Sequence, residues 1–489
     1  MKRVVIIGGG ITGLAVANRI VELSENKQLD LTLLESSDRV GGIIKTHSRD
    51  GFLIEAGPDS FISEKPAALD LVYRLGLESH LIGTNQNSRR SFVVRGGRLL
   101  PVPRSFHLLA PGEFLPFLRS DIFSWSGKAR MVIEMALPRK TENGSPDESL
   151  AGFVRRRLGH EALERMAQPM IGGIYTADPE KLSLRATMPR FLEMEREHGS
   201  VIRALRKLNR SPSAMEGSES GTSGARYSLF LSLDRGMQLL TNTLAERISK
   251  RHSQASTGES QPRIRLRTSV DALALDNSLT AGETAPVWKV RTTDGETITA
   301  DALCLAVPAN VTSQLLRPVD PQLADQLSEI SYASSATLNL AYRRADIPHQ
   351  LDGFGFVVPF IERRSMIACT FSSVKFAGRA PEGFVLLRVF VGGALQPEML
   401  ELSEAELLTR VLCDLRDLLG IEAAPMFSEL HRWERSMPQY HVGHLELVAK
   451  INERVASLPG LTIAGNAYSG PGLPDCIRSG ETAADQLLT

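Results

Sequence analysis

The feature that most constrains this chain is Gly8-x-Gly10-x-x-Gly13, set at its start between a β-branched run and a helical pattern. Residues 3–7 read as a strand that stops at glycine, and Leu14, Val16, Ala17, Ile20 and Val21 follow at helical spacing. Gly8 permits the tight turn, Gly10 lets a pyrophosphate approach the backbone, and Gly13 lets the helix pack against the strand. The pyrophosphate then meets the amides and positive end of the helix, so Gly8, Gly9, Gly10, Ile11, Thr12 and Gly13 form one candidate site. A glycine turn alone is a weak signal. Here a second apolar run, Leu31-Thr32-Leu33-Leu34, ends at Glu35, about 20 residues past Gly13, where a carboxylate can accept hydrogen bonds from ribose hydroxyls. The same carboxylate would repel a 2′-phosphate, which disfavours NADP.

Three further segments point to FAD rather than NAD. Asp38-Arg39-Val40-Gly41-Gly42 offers adjacent glycines for a second backbone approach to the phosphates, with Arg39 as a nearby cation. Taken alone it is equally a turn with an exposed charge. Glu55-Ala56-Gly57-Pro58-Asp59-Ser60 makes a tight bend suited to the edge of a flavin ring. Near the end, a strand Leu461–Ala464 leaves at Gly465-Asn466 and runs through Gly470-Pro471-Gly472-Leu473-Pro474 into a helix. A helix N-terminus aimed at the flavin N1/O2 region would stabilise the anion of the reduced flavin.

At 489 residues the chain has room for two or three domains. Lys+Arg and Asp+Glu are equal at 56 each, so no global field draws nucleic acid or anionic lipid. Cys304, Cys369, Cys413 and Cys476 are scattered with no C-x-x-C pair, which argues against a zinc or disulfide framework and fits a reducing, cytoplasmic setting. Met1-Lys2-Arg3 has the charge of a signal peptide, but the apolar run Val4–Ile7 is too short. Nowhere do about 18 apolar residues run together, so no transmembrane helix is expected, while surface contact with a membrane stays open.

Residues 66–210 read as mostly helical, broken by the proline-marked stretch Leu99–Pro116, and 209–226 and 253–262 read as loops. Strand patterns follow at Ile264–Leu266, Val287–Thr292, Ala302–Val307, Ala336–Tyr342, Phe354–Val358, Met366–Phe371 and Val385–Val391. A helix is expected at 403–419 and a strand–helix unit at 461–488. The expected class is α/β: a discontinuous Rossmann-like FAD-binding domain (1–87, 227–312 and 431–489) with an inserted helical domain (88–226) and a mixed β-sheet substrate domain (313–430).

With these pieces in order, the sequence resembles the protoporphyrinogen/coproporphyrinogen oxidases of the monoamine oxidase-like FAD superfamily, over nearly its whole length. The resemblance lies in Gly57-Pro58-Asp59-Ser60-Phe61, in Arg95-Gly96-Gly97-Arg98 through Pro103, in Gly172-Gly173-Ile174-Tyr175-Thr176-Ala177-Asp178-Pro179 and in Gly236-Met237. It continues in Trp433, in Met437-Pro438-Gln439-Tyr440 with Gly443-His444, and in Gly472-Leu473-Pro474-Asp475-Cys476-Ile477. It implies FAD contacts at Gly8 to Gly13, Glu35, Ser36, Arg39, Gly42, Ile43, Gly57, Pro58, Asp59, Ser60, Val270, Trp433, Asn466, Pro471, Gly472 and Leu473. It also places Gly173, Tyr175, Val357 and Phe376 along a porphyrinogen cavity. In the family a glycine after the proline precedes an arginine that pairs with a substrate propionate; here Pro103 is followed directly by Arg104, which becomes the candidate. Ile43 stands where family members often carry a larger or basic residue.

The activity implied is the six-electron oxidation of protoporphyrinogen IX, with coproporphyrinogen III as the alternative, in heme biosynthesis. Hydride would pass from a meso carbon to flavin N5 in three rounds, and dioxygen would yield hydrogen peroxide. No catalytic acid or base and no metal is demanded, and His107, His441 and His444 read as scattered packing or surface residues. In this family the helical domain tends to lie against the membrane, and Phe114–Leu118 with Phe123-Ser124-Trp125 is the stripe that would do so; helix-packing core is the default explanation for such a stripe. Handover to a ferrochelatase is compatible with this reading. The rivals are another FAD amine oxidase or a carotenoid desaturase, a non-enzymatic escort protein of the Rab escort type, and a non-redox flavin mutase.

Overall fold

Five short parallel strands carry the nucleotide half, in the order Arg263–Arg265, Leu29–Leu34, Lys2–Ile7, Ala302–Leu305, Leu461–Ile463. The computed structural model describes residues 2–24, 29–103, 106–140, 147–208, 230–254, 263–276 and 286–488. Arg104, the loop 209–226 and residues 255–262 lie outside them. The strand order reverses between Lys2–Ile7 and Ala302–Leu305, and Gly8 leaves the sheet at that switch point, where open α/β sheets hold their ligands. The first strand reads as a continuous apolar run because both of its faces are covered. Val4 and Ile6 join the core under the helices Ile11–Leu23 and Leu473–Leu488, while Val5 and Ile7 join a second core around buried Trp288.

A seven-stranded mixed sheet forms the second body, in the order Phe427–Pro438, Tyr332–Arg343, Phe384–Gly392, Ala368–Phe371, Gly355–Val357, Phe92–Arg95, Arg98–Pro101. Two of its strands correct the sequence reading. Phe92–Arg95 and Arg98–Pro101 were expected to open the helical region; they form a hairpin at the sheet edge. Its turn, Gly96-Gly97, has φ of +55° and +73°, the doubly left-handed geometry that favours paired glycines. The boundary expected at residue 430 likewise cuts through Phe427–Pro438. That strand carries Glu429, Arg432, Glu434 and Arg435 on a half-exposed edge, so no apolar alternation marks it.

The helical layer, residues 114–208, packs around Phe117, Phe153 and Phe191. Its core also holds an ion pair in which Arg157 and Glu134 are both 0 % exposed at the side chain. Arg157 Nε donates to Glu134 Oε1 at 2.9 Å, and the same carboxylate accepts the Val201 N–H at the start of the helix Val201–Leu208 at 2.9 Å. The Phe114–Trp125 stripe divides: Phe117 and Phe123 are core, whereas Leu115 and Trp125 are 60 % and 72 % exposed. Among the described residues no helix is long and apolar enough to cross a membrane.

Candidate functional site: a dinucleotide cradle bound to a sheet

The glycines behave as the turn requires, with one addition. Gly8 has φ +107°, and a Cβ there would lie 2.5 Å from Ala306 O; a Cβ on Gly13 would lie 1.9 Å from Gly8 O. Gly9, assigned no separate role from the sequence, donates its N–H to Glu35 Oε2 at 2.7 Å. Glu35 Oε1 takes the Ser37 N–H at 2.8 Å and the Ser37 hydroxyl at 2.7 Å, with the Ser36 hydroxyl at 3.4 Å. Oε2 thus keeps an acceptor position for a ribose hydroxyl. Gly10 caps the helix Ile11–Leu23 in extended conformation without any side-chain cap, so the amides of its first turn, at Ile11, Thr12 and Gly13, remain available to an anion. A Cβ on Gly10 would meet no atom within 4 Å, so the space beside it is open.

The second glycine pair folds back onto the first. Gly41 N–H donates to Gly9 O at 2.8 Å, and a Cβ on Gly42 would lie 3.4 Å from Gly10 Cα. Arg39 differs from expectation. Its guanidinium donates to Val40 O at 3.0 Å and Ile44 O at 2.9 Å and also holds Gly42 O, so it braces this turn from within. Thr268 N–H donates to Glu35 O and Arg267 N–H to Ser37 O, both at 2.8 Å, which brings Val270 beside the end of the second strand.

The bend at 55–60 is held by Trp433, which the resemblance named, and by three side chains the sequence reading missed, Thr337, Lys375 and Arg388. Ile43 is exposed, and its carbonyl is so close to Gly57 that a Cβ there would stand 1.7 Å away. Thr337 Oγ1 donates to Ala56 O at 2.9 Å and Trp433 Nε1 donates to the same oxygen at 3.0 Å; Arg388 donates to Gly57 O. Lys375 Nζ donates to Asp59 Oδ2 at 2.9 Å and to Ser60 Oγ at 3.3 Å. Burial alone would raise the Asp59 carboxyl, but Lys375 and Arg388 overcome it and hold the group well below the usual carboxylate range. Burial pushes Glu55 up, against the Thr46 hydroxyl at 2.6 Å and the Met237 N–H at 2.8 Å. A signal for Arg388 was present: it is the lone charge in the apolar strand FVLLRVFVG.

The C-terminal pieces close the ring. The helix Leu473–Leu488 lies so near the first helix that a Cβ on Gly480 would stand 2.5 Å from Thr12 O. Pro471 and Gly472 lead into it, and Gly472 O accepts the Cys476 N–H at 3.0 Å. Asn466 Nδ2 donates to Ser436 O at 3.3 Å, and the Tyr440 hydroxyl donates to Asn466 O. Gln439 Nε2 donates to Tyr175 O at 3.3 Å. The helix Gln168–Tyr175 is therefore tied through Gln439 and Tyr440 to the segment that carries Asn466.

Gly173 and Val357 face one another: a Cβ on Gly173 would lie 3.8 Å from Val357 Cγ1. Side chains alternate along this strand, with Phe356 and Val358 buried in the sheet core and Val357 turned toward the helical layer. Phe376 departs from the expected cavity wall. It is 1 % exposed, with Lys375 5.0 Å and Arg379 5.7 Å from its ring centroid, so its ring serves the charged cluster around Asp59. Arg185, on the short helix Leu184–Thr187, is paired with Glu446. His444 stacks on Tyr440 at 4.1 Å and burial pushes it down to about 4, so it is neutral at physiological pH.

A parallel sheet with an open glycine cradle at its switch point, a ribose-ready carboxylate and a braced bend define a dinucleotide-binding flavoprotein. The chain belongs to the family of flavin-containing amine oxidoreductases, which matches residues 11–488. It is an oxidoreductase, and a flavin seated on a dinucleotide turn of this kind is FAD. It is 35 % identical over 494 residues to the coproporphyrinogen III oxidase of Bacillus subtilis (strain 168), covering 100 % of this chain and 98 % of that one. It is 30 % identical over 497 residues to the chloroplastic protoporphyrinogen oxidase 1 of Spinacia oleracea, covering 99 % and 84 %. A solved structure described as a protoporphyrinogen oxidase from Exiguobacterium sp. 255-15 superposes with TM-score 0.83 at 30 % identity, covering 99 % and 98 %.

Proposed function

We propose that this chain oxidises a porphyrinogen to the porphyrin in heme biosynthesis, with dioxygen as acceptor. The observation that carries the reading is full-length similarity to porphyrinogen oxidases, joined to a face between Gly173 and Val357 that hydrogen bonds tie to the flavin segments. Coproporphyrinogen III is favoured by the 35 % identity to the Bacillus subtilis enzyme, and protoporphyrinogen IX, the first expectation from sequence, by the 30 % identity to the spinach enzyme.

FAD, when bound, supplies the two-electron acceptor for each round. Gly8 to Gly13 and Gly42 hold its phosphates, Glu35 its ribose, and the bend Gly57–Ser60, Trp433, Asn466 and Pro471–Leu473 its ring; Ser36, Ile43 and Val270 lie along the same path. The protein orients the substrate and excludes water. Thr337, Arg388 and Trp433 fix the bend by occupying its carbonyls, and Lys375 keeps Asp59 ionised beside it. Val357, Gly173 and Tyr175 line the substrate face. Exposed Leu115, Leu118 and Trp125 support peripheral contact with the inner face of a membrane, where a ferrochelatase could receive the product.

The test is anaerobic addition of chemically reduced copro- and protoporphyrinogen to the FAD-loaded protein, followed by air. Flavin bleaching and then porphyrin fluorescence are expected, with the faster substrate identifying the physiological one. A yellow protein that neither bleaches nor forms porphyrin with either substrate overturns the assignment.

A further inference from the structure

Away from the nucleotide cradle, three side chains from two elements converge with the chemistry of a metal site. His47 stands on the strand Thr46–Arg49, and Glu429 and His431 on the edge strand Phe427–Pro438. Positions 429 and 431 are two apart on a strand and so share a face. The hairpin lies against that face: His47 Nε2 is 2.6 Å from Glu429 Oε2, and His431 Nε2 is 3.8 Å from the same oxygen. One ligand atom from each residue lies within 4.8 Å of both others. Donors around a tetrahedral zinc stand roughly 3.3 Å apart, from bonds of about 2.0–2.1 Å, so small side-chain rotations close the site.

Two observations separate this cluster from an ordinary ion pair. His431 Nε2 is shielded from solvent yet has no hydrogen-bond partner, although it points toward the carboxylate. A buried polar nitrogen in that state is satisfied by a water or by an ion, and the neighbouring His47 and Glu429 ligand atoms favour the ion. Arg49 Nη1 meanwhile donates to Glu429 Oε1 at 3.0 Å, which orients the carboxylate and leaves Oε2 as a single-atom ligand. The side chains of His47, Glu429 and His431 are 32 %, 16 % and 19 % exposed, which permits entry from solvent and a water at a fourth position.

We propose that His47, Glu429 and His431 bind a divalent transition-metal ion of the zinc class. Two imidazoles and one carboxylate suit zinc and its neighbours better than the oxygen-seeking calcium or magnesium. The ion joins the hairpin that runs through Glu55 into the bend to the strand whose Trp433 holds Ala56 O, so it acts as a structural clamp on the mount of the bend.

The FAD-loaded protein, dialysed against a chelator, is titrated with Zn²⁺ by calorimetry and with Co²⁺ by visible absorption. Uptake of one ion per chain, ligand-field bands with cobalt and a raised thermal transition are expected. His47→Gln and His431→Gln should each lose the tight ion and the bands while keeping wild-type flavin content. Exposed pairs such as His160–Glu164, at 3.2 Å, would account for zinc taken up elsewhere, so uptake that persists unchanged in both variants overturns the proposal. Diethyl pyrocarbonate labelling of the wild-type chain reads the same site independently of how the variants fold. Zn²⁺ should protect the peptides holding His47 and His431, and equal labelling with and without the ion overturns the assignment.

Discussion

Gly9 gives its backbone N–H to Glu35 at 2.7 Å, and a Cβ on Gly9 would stand 2.9 Å from that same carboxylate oxygen. Position 9 therefore sets where the ribose acceptor sits. Gly9→Ala should displace Glu35 and weaken FAD retention about tenfold or more, since overpacking costs about 1–3 kcal/mol. Flavin-to-protein absorbance after gel filtration reads this directly. Gly10→Ala makes the complementary case, because its Cβ would meet no protein atom within 4 Å. Loss of FAD in that variant reports a clash with the cofactor itself, and full retention would remove the pyrophosphate from beside Gly10.

The Asp59–Lys375 pair at 2.9 Å predicts an acid-side stability loss. The folded Asp59 pKa lies below its unfolded value of about 3.9. The stabilisation is therefore fully present above about pH 4 and is lost as pH falls through the folded value. Asp59→Asn should lower stability at pH 7 by about 1–3 kcal/mol, a figure reduced from the range for fully buried pairs because Asp59 is partly solvated. The deficit should narrow below about pH 4. Urea midpoints at saturating FAD measure it, and a deficit that stays constant down to pH 3 refutes the linkage.

How much of this was legible in the sequence depended on which interactions were local. The glycine cradle and Glu35 could be read because a strand, a turn and a helix in one short stretch dictate them. The parallel sheet could be inferred from separated apolar runs. The supports of the bend could not be read that way. Thr337, Lys375 and Arg388 reach Ala56, Gly57 and Asp59 from hundreds of residues away, and only the isolated charge in FVLLRVFVG hinted at one of them. The resemblance put Phe376 along the cavity, and nothing local in the sequence showed that Lys375 and Arg379 both stand over its ring.

The buried Arg157–Glu134 pair predicts a large effect confined to the helical layer. Arg157→Met removes the cation from the fully buried Glu134 carboxylate, leaving it only the Ser200 hydroxyl and the Val201 and Ile202 N–H groups. The cost should be about 3–5 kcal/mol, and adding Glu134→Leu should recover part of it. Thermal unfolding of the two variants tests this, with flavin content as the control. A double variant no more stable than Arg157→Met would show that the helix-start hydrogen bonds to Glu134, rather than the stranded charge, carry the loss.

The substrate face predicts a separation between cofactor and substrate effects. Gly173 lies on the helix Gln168–Tyr175 with its missing Cβ 3.8 Å from Val357 Cγ1, at van der Waals distance across the face between the helical layer and the sheet. Gly173→Leu fills that space without touching the glycine cradle or the braced bend. It should raise KM for porphyrinogen about tenfold or more, as one lost fit of about 1–3 kcal/mol implies, while flavin content and flavin photoreduction stay at wild-type values. Val357→Ala enlarges the same space and should relax the preference between coproporphyrinogen and protoporphyrinogen rather than abolish turnover. If Gly173→Leu turns over both substrates with wild-type KM, the porphyrinogen does not lie between these two residues, and the face must be sought elsewhere along the flavin.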